Sequence, residues 1–248
     1  MNEILLYFSL KYKGEWKEIY QAILKKEMID ENDFNLRMQD FKKHQIEYIT
    51  ILDDLYPKQL MHTTQPPFVL YYKGNISILN KTNKCIYLTG AYETQSINNY
   101  VSKLKSKKEN VTFLNLIWPG LEQSILNTLF RNNFKTIILL PCGIDWAIKN
   151  LNLGKFENPN CLFLSEFPND IHPTKNSFIS RNRISAGLCS SLVLLSSIDQ
   201  RYNSLINEFL DQGKNIQCLL FNDHDKKDGN VDLINQGAEL ITETSEIF

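Results

Sequence analysis

The chain carries almost no net charge: 27 lysines and arginines against 28 aspartates and glutamates leave a formal value of −1 over 248 residues. A histone-like or otherwise generally basic partner of polyanions is thereby excluded, and any anion site must be a local patch. Redox and metal knuckles are missing as well. Cys85, Cys142, Cys161, Cys189 and Cys218 contain no Cys-x-x-Cys pair. The histidines at 44, 62, 172 and 224 have no metal-ligand spacing. No Walker loop, Gly-x-Ser-x-Gly elbow or full Gly-x-Gly-x-x-Gly occurs, so the usual signatures of nucleotide hydrolysis, esterase chemistry and dinucleotide binding are absent. No cofactor is expected. No apolar run approaches the roughly 20 residues of a membrane helix, and no membrane partner is expected.

Four of the cysteines, at 142, 161, 189 and 218, lie in or beside apolar runs, where a free thiol behaves as a small core residue. Unpaired thiols of this kind point to a reducing, cytoplasmic setting. The first seven residues have neither a basic stretch nor a long apolar one, so no signal peptide is expected.

What is present has two textures. Residues 1 to about 45 read as short amphipathic helices, with Trp16, Ile19 and Ile23 at helical spacing, Tyr20 widening that face and 30–33 supplying cap signals. Gln65-Pro66-Pro67 forces extended backbone, and 68–72 is a strand. From residue 84 short apolar runs alternate with polar helical stretches. Strands are expected at 85–88, 111–117, 136–140, 161–164, 191–195 and 216–221. Helices are expected at 94–105, 122–131, 203–211 and 231–236, and another beginning at 183–189. Such alternation predicts an α/β, Rossmann-like doubly wound, mostly parallel sheet covered on both faces. The division expected is a helical segment over 1–50 and the Rossmann-like domain over 51–248. Ligands of such sheets lie beyond the carboxyl ends of the strands.

The densest chemistry is Phe178-Ile179-Ser180-Arg181-Asn182-Arg183, read as a loop leading into a small-residue helix start, with Lys175 three residues before the aromatic. A guanidinium is a planar fork suited to phosphate oxygens, and an aromatic beside it can stack a base. A solvated turn with unrelated arginines is the alternative. Gly90-Ala91-Tyr92 ends the strand at 85–88, where backbone amides could meet a phosphate or merely turn the chain. Asp145, after Gly143, caps a helix or orders a loop, and Glu166 is a hydrogen-bond acceptor or a general base. The basic run at 103–108 complements a helix C-terminus or touches phosphate.

Together these pieces resemble the DNA-processing protein A family, DprA/Smf. The signals run in order from about residue 52 to 240. Tyr56-Pro57, Pro66-Pro67-Phe68-Val69-Leu70-Tyr71 and Gly74-Asn75 look like the family's entry to its Rossmann domain. Cys142-Gly143-Ile144-Asp145, Ser165-Glu166-Phe167-Pro168, the Arg181-Asn182-Arg183 block and Leu233-Ile234-Asn235-Gln236-Gly237-Ala238 match later motifs, the arginine block most specifically. The chain departs from the pattern where Gly90-Ala91-Tyr92 replaces Gly-Ser-Arg. In the loop ending at Glu122 only Gly120 is kept, with Glu122 standing for the family's aspartate. The winged-helix-like segment of the family is expected to be missing.

The resemblance implies a non-enzymatic single-stranded-DNA binder that assists RecA loading in DNA uptake or recombination and forms a homodimer. It assigns phosphate contact to Lys175, Arg181 and Arg183, with Arg183 alternatively paired to Glu166. Phe178 would stack or pack, Asn182 would orient the loop, and Gly90 and Gly120 would let backbone approach the strand. Ala91 and Tyr92 form the rewritten wall, where Tyr92 could stack on a base in place of the missing arginine. Two other readings stay open: a phosphoribohydrolase-like enzyme, faintly echoed by Pro119-Gly120-Leu121-Glu122, and a degenerate relative with weakened DNA binding.

Overall fold

The computed structural model describes residues 1–81, 84–105, 111–169, 171–224 and 227–248. Its frame is a nine-stranded sheet in the order β1-β2-β6-β5-β4-β3-β7-β8-β9. The strands are β1 (Glu47–Thr50), β2 (Val69–Gly74), β3 (Lys84–Thr89), β4 (Val111–Asn115), β5 (Lys135–Leu140), β6 (Cys161–Ser165), β7 (Ser191–Leu194), β8 (Asn215–Leu219) and β9 (Glu239–Ile241). Strands β3 to β9 are parallel, and β2 is antiparallel to both β6 and β1. The winding reverses between β3 and β7, which is the place where an open α/β sheet leaves a crevice.

The core strands are apolar on both sides because helices cover both faces. Along β3, Cys85 and Tyr87 join one buried cluster while Ile86 and Leu88 join another. The first face is covered by α4 (Ser77–Lys81), α8 (Lys175–Leu188) and α9 (Asn203–Asp211), through side chains such as Ile78, Ile184 and Phe209. The opposite face is covered by α5 (Gln95–Ser102), α6 (Leu121–Arg131) and α7 (Ile144–Asn150), and by Leu5 and Leu6 of α1 (Asn2–Lys11). The N-terminal helices include α2 (Trp16–Leu24) and α3 (Glu31–Phe41), the latter capped by Asp30 accepting from the Asp33 amide. On α2 only part of the expected apolar face is covered: Ile19 is buried, whereas Tyr20 and Ile23 are exposed. A short α10 (Asn230–Asn235) precedes β9.

The mostly parallel, doubly wound sheet expected from the alternation is therefore observed. Two strands escaped it. Residues 47–50, placed with the helical segment, form β1 and pair with β2, and 239–241 form the edge strand β9. A larger correction concerns the Arg181 block, which is no loop. Helix α8 starts at Lys175, because Thr174 and Ser177 form a capping box, each side chain meeting the other's backbone amide. Arg181, Asn182 and Arg183 consequently sit in mid-helix, on different faces. Of the basic run, residues 106–108 lie outside the described residues.

Candidate functional site

At the carboxyl ends of β3, β4 and β5, a cation from one face of the sheet meets a carboxylate from the other. Arg181, on α8, is 1% exposed. Its Nη1 donates to the carbonyls of Leu116 (2.7 Å) and Leu139 (3.3 Å), while Nε and Nη2 have no partner among the described residues. Its carbon Cζ lies 5.2 Å from the ring centroids of both Trp118 and Phe178. Those two rings stack on each other at 5.0 Å and 24°. Burial pulls the guanidinium down to about 10, and the nearby Tyr87, Glu122 and Cys142 only partly oppose it.

Glu122, in the first turn of α6, is fully buried. One carboxylate oxygen accepts from the hydroxyls of Tyr87 and Thr89, and the other from the amides of Leu116 (3.1 Å) and Trp118 (3.0 Å). Burial raises its carboxyl above the usual range, against those hydrogen bonds and the Arg181 charge. The carboxylate thus organises the backbone that carries Trp118. Asn115 helps, its side chain accepting from the Ile117 amide and donating to the Glu122 carbonyl.

Phe178 and Arg181 are the expected site residues that the fold brings into contact. Lys175 is exposed one turn before Phe178, on the same side of the helix, and Asn182 is half-buried. Arg183 departs from the phosphate role. Both it and Glu166 are almost fully buried as an ion pair, Nη2 donating to Oε1 and Nη1 to Oε2 at 2.9 Å. Its Nε donates to the Gln65 carbonyl (2.8 Å), and Nη1 also reaches the carbonyl and hydroxyl of Ser180. Every guanidinium nitrogen of Arg183 is committed, and it ties α8 to the segment before β2. Glu166 is correspondingly the structural acceptor.

The wall at Gly90, Ala91 and Tyr92 is also occupied. A side chain at Gly90 would press to 2.7 Å from Leu121 and 2.8 Å from the Ser196 hydroxyl, so the glycine admits Ser196 where a phosphate was expected. The Ser196 oxygen accepts from the amides of Ala91 (3.0 Å) and Tyr92 (3.1 Å) and donates to the Tyr92 carbonyl. Tyr92 packs on the core, and its hydroxyl donates to Asp228, whose other oxygen accepts from the amides of Ser197 and Asn230. The ring expected to replace an arginine is a strut between the end of β3 and the loop after β8. Gly120 is exposed at φ +91, the N-cap of α6. Asp145 orders a loop as anticipated, contacting His44 and Asn169.

Trp118 was not singled out from sequence. Its signal was a large aromatic directly after the apolar run 111–117, where a strand-end loop is otherwise polar or small.

A family model described as DNA recombination-mediator protein A matches residues 47–248. The chain belongs to this family. It is 27% identical over 204 residues to DNA processing protein DprA of Streptococcus pneumoniae, covering 80% of this chain and 72% of that protein. It is likewise 27% identical over 220 residues to DNA processing protein DprA of Bacillus subtilis, covering 84% and 72%. The X-ray structure of DprA from Streptococcus pneumoniae superposes with a TM-score of 0.77 at 21% identity, covering 100% of this chain and 96% of that one. DprA from Helicobacter pylori, whose structure is described for its single-stranded DNA binding mode, superposes at 0.70 and 21% identity, covering 82% and 93%. These two likenesses establish the shared fold. The resemblance read from the ordered motifs and the Rossmann-like sheet are both borne out for the DNA recombination-mediator protein A family.

Proposed function

We propose that this protein binds single-stranded DNA through the carboxyl-end surface formed by Lys175, Phe178 and the loop carrying Trp118. The carrying observation is the Trp118–Phe178 stack with the Arg181 guanidinium against both rings. Aromatic faces hold bases without regard to sequence, and a neighbouring guanidinium adds cation–π attraction. Lys175, exposed one turn away, supplies a backbone phosphate contact. The near-neutral chain supplies no general field, so affinity rests on few contacts and is modest.

The membership in a recombination-mediator family supports handing the strand to a RecA-type recombinase, in DNA uptake or another recombination task, inside the cytoplasm and as a homodimer. No catalytic role is assigned. The Glu122 and Glu166 carboxylates, which a hydrolase reading would recruit, are both spent on buried structural partners. Arg183 and Tyr92 hold the fold and are left out of the interface.

Anisotropy of a labelled dT oligomer at two salt concentrations tests the reading. Binding should weaken with salt, Phe178→Ala should cost about 1–3 kcal/mol, and Lys175→Ala should flatten the dependence of log K on log salt by about 0.7. Salt-independent binding, or full affinity in Phe178→Ala, would sink it. Hydrolysis of a nucleoside monophosphate would instead support an enzyme.

A further inference from the structure

The Arg181 guanidinium is an unfinished site. Its Nη1 is satisfied by two carbonyls, but Nε and Nη2, buried with it, donate to nothing among the described residues. None of the ion pairs among those residues includes it. A buried cation with open donors is unfavourable, and such donors are normally matched. Nε and Nη2 form one edge of the planar fork, the edge that grips two oxygens of a phosphate.

What lies over this guanidinium is a partly exposed ring. Trp118 remains 41% exposed while its ring contacts Phe178 and Arg181. The residue before it, Ile117, holds φ +57, a conformation that a β-branched side chain rarely adopts. The loop ends at Gly120, φ +91, where no atom lies within 4 Å of the position a Cβ would take. The amides of Leu116 and Trp118 are held by Glu122 and that of Ile117 by Asn115, so the part left to swing is the exposed indole, on its own side-chain torsions.

We propose that the Trp118 indole is a displaceable cover over a phosphate subsite at Arg181. An entering phosphate lifts the indole from Phe178 and accepts from Nε and Nη2, and the uncovered Phe178 face becomes available to a base. The strand-level version rests on the single-stranded-DNA reading above; the subsite itself does not. Burial, which holds the guanidinium down to about 10, is offset once an anion sits beside it.

The chain has three tryptophans, so Trp16→Phe with Trp146→Phe leaves Trp118 as the sole indole reporter. Acrylamide quenching is measured with inorganic pyrophosphate and, separately, with a dT oligomer. Quenching should rise with each probe, and Arg181→Met should abolish the rise. By calorimetry Trp118→Gly, which removes the cover and keeps the guanidinium, should bind pyrophosphate about three- to tenfold tighter, the factor an aromatic pair contributes. This variant decides the matter if Arg181→Met does not fold. A rise with pyrophosphate alone supports the subsite while removing the strand reading. Absence of pyrophosphate binding, unchanged or reduced quenching at saturation, or no gain in Trp118→Gly overturns the cover.

Discussion

Replacing Glu166 by glutamine should damage stability far more than strand binding. The carboxylate is buried and makes a two-pronged pair with Arg183, so its loss leaves a cation stranded beneath α8. Breaking one side of a buried pair typically costs about 3–5 kcal/mol. Here the carbonyls of Gln65 and Ser180 and the Ser180 hydroxyl still hold the guanidinium. That places the expected cost near the lower end, about 3 kcal/mol. For a chain of this size, 1 kcal/mol moves the melting midpoint by roughly 2–4 °C, so a fall of roughly 6–12 °C is expected. Urea unfolding followed by circular dichroism should show a lower midpoint with an unchanged slope. The double variant Glu166→Leu/Arg183→Met should recover much of the loss, because an apolar pair of similar volume replaces the ions. Arg183→Met, assayed where it is folded, should keep the salt dependence of oligonucleotide binding, whereas a lost phosphate contact would flatten it by about 0.7. A Glu166→Gln protein within 1 kcal/mol of wild type, combined with a flattened salt dependence in Arg183→Met, would refute the structural role of the pair.

Three further outcomes follow from the same contacts. Burial raises the Glu122 carboxyl, so the folded state resists its ionisation: the penalty is absent below the unfolded value of about 4.5, grows as pH rises above it and is complete once pH has passed the folded one. The stability of wild type relative to Glu122→Gln should therefore fall as pH rises from 4.5, as read by urea unfolding across pH 4.5–8; a difference independent of pH would contradict this. Tyr92→Phe removes the bond to Asp228 and should cost about 1.5–3 kcal/mol of unfolding free energy with oligonucleotide affinity unchanged; weaker binding at equal stability would return the ring to the interface. Thr174→Ala deletes one arm of the α8 capping box and should cost about 1 kcal/mol in urea; no loss would mean that packing alone sets the helix start.

The architecture was legible because a strand buried on both faces must be apolar throughout. Runs such as Ile137–Leu140 and Leu192–Leu194 can be little else between polar helical stretches. The edge strands were not legible, since β1 and β9 are short and half solvated and Glu47-Tyr48-Ile49-Thr50 carries no clear period. The start of α8 was missed because its capping box uses Ser177 where the usual pattern has Glu or Gln.

At the site, residue types and their order identified the family and marked α8 as its chemical centre, because motif order is a property of the chain alone. Which arginine does what was decided only by folding. Arg183 meets a carboxylate 17 residues away, Arg181 meets a carbonyl 65 residues away, and Tyr92 finds its partner across 136 residues. Burial and long-range partners, which no local spacing encodes, turned one arginine into a brace and left the next with two open donors under a tryptophan.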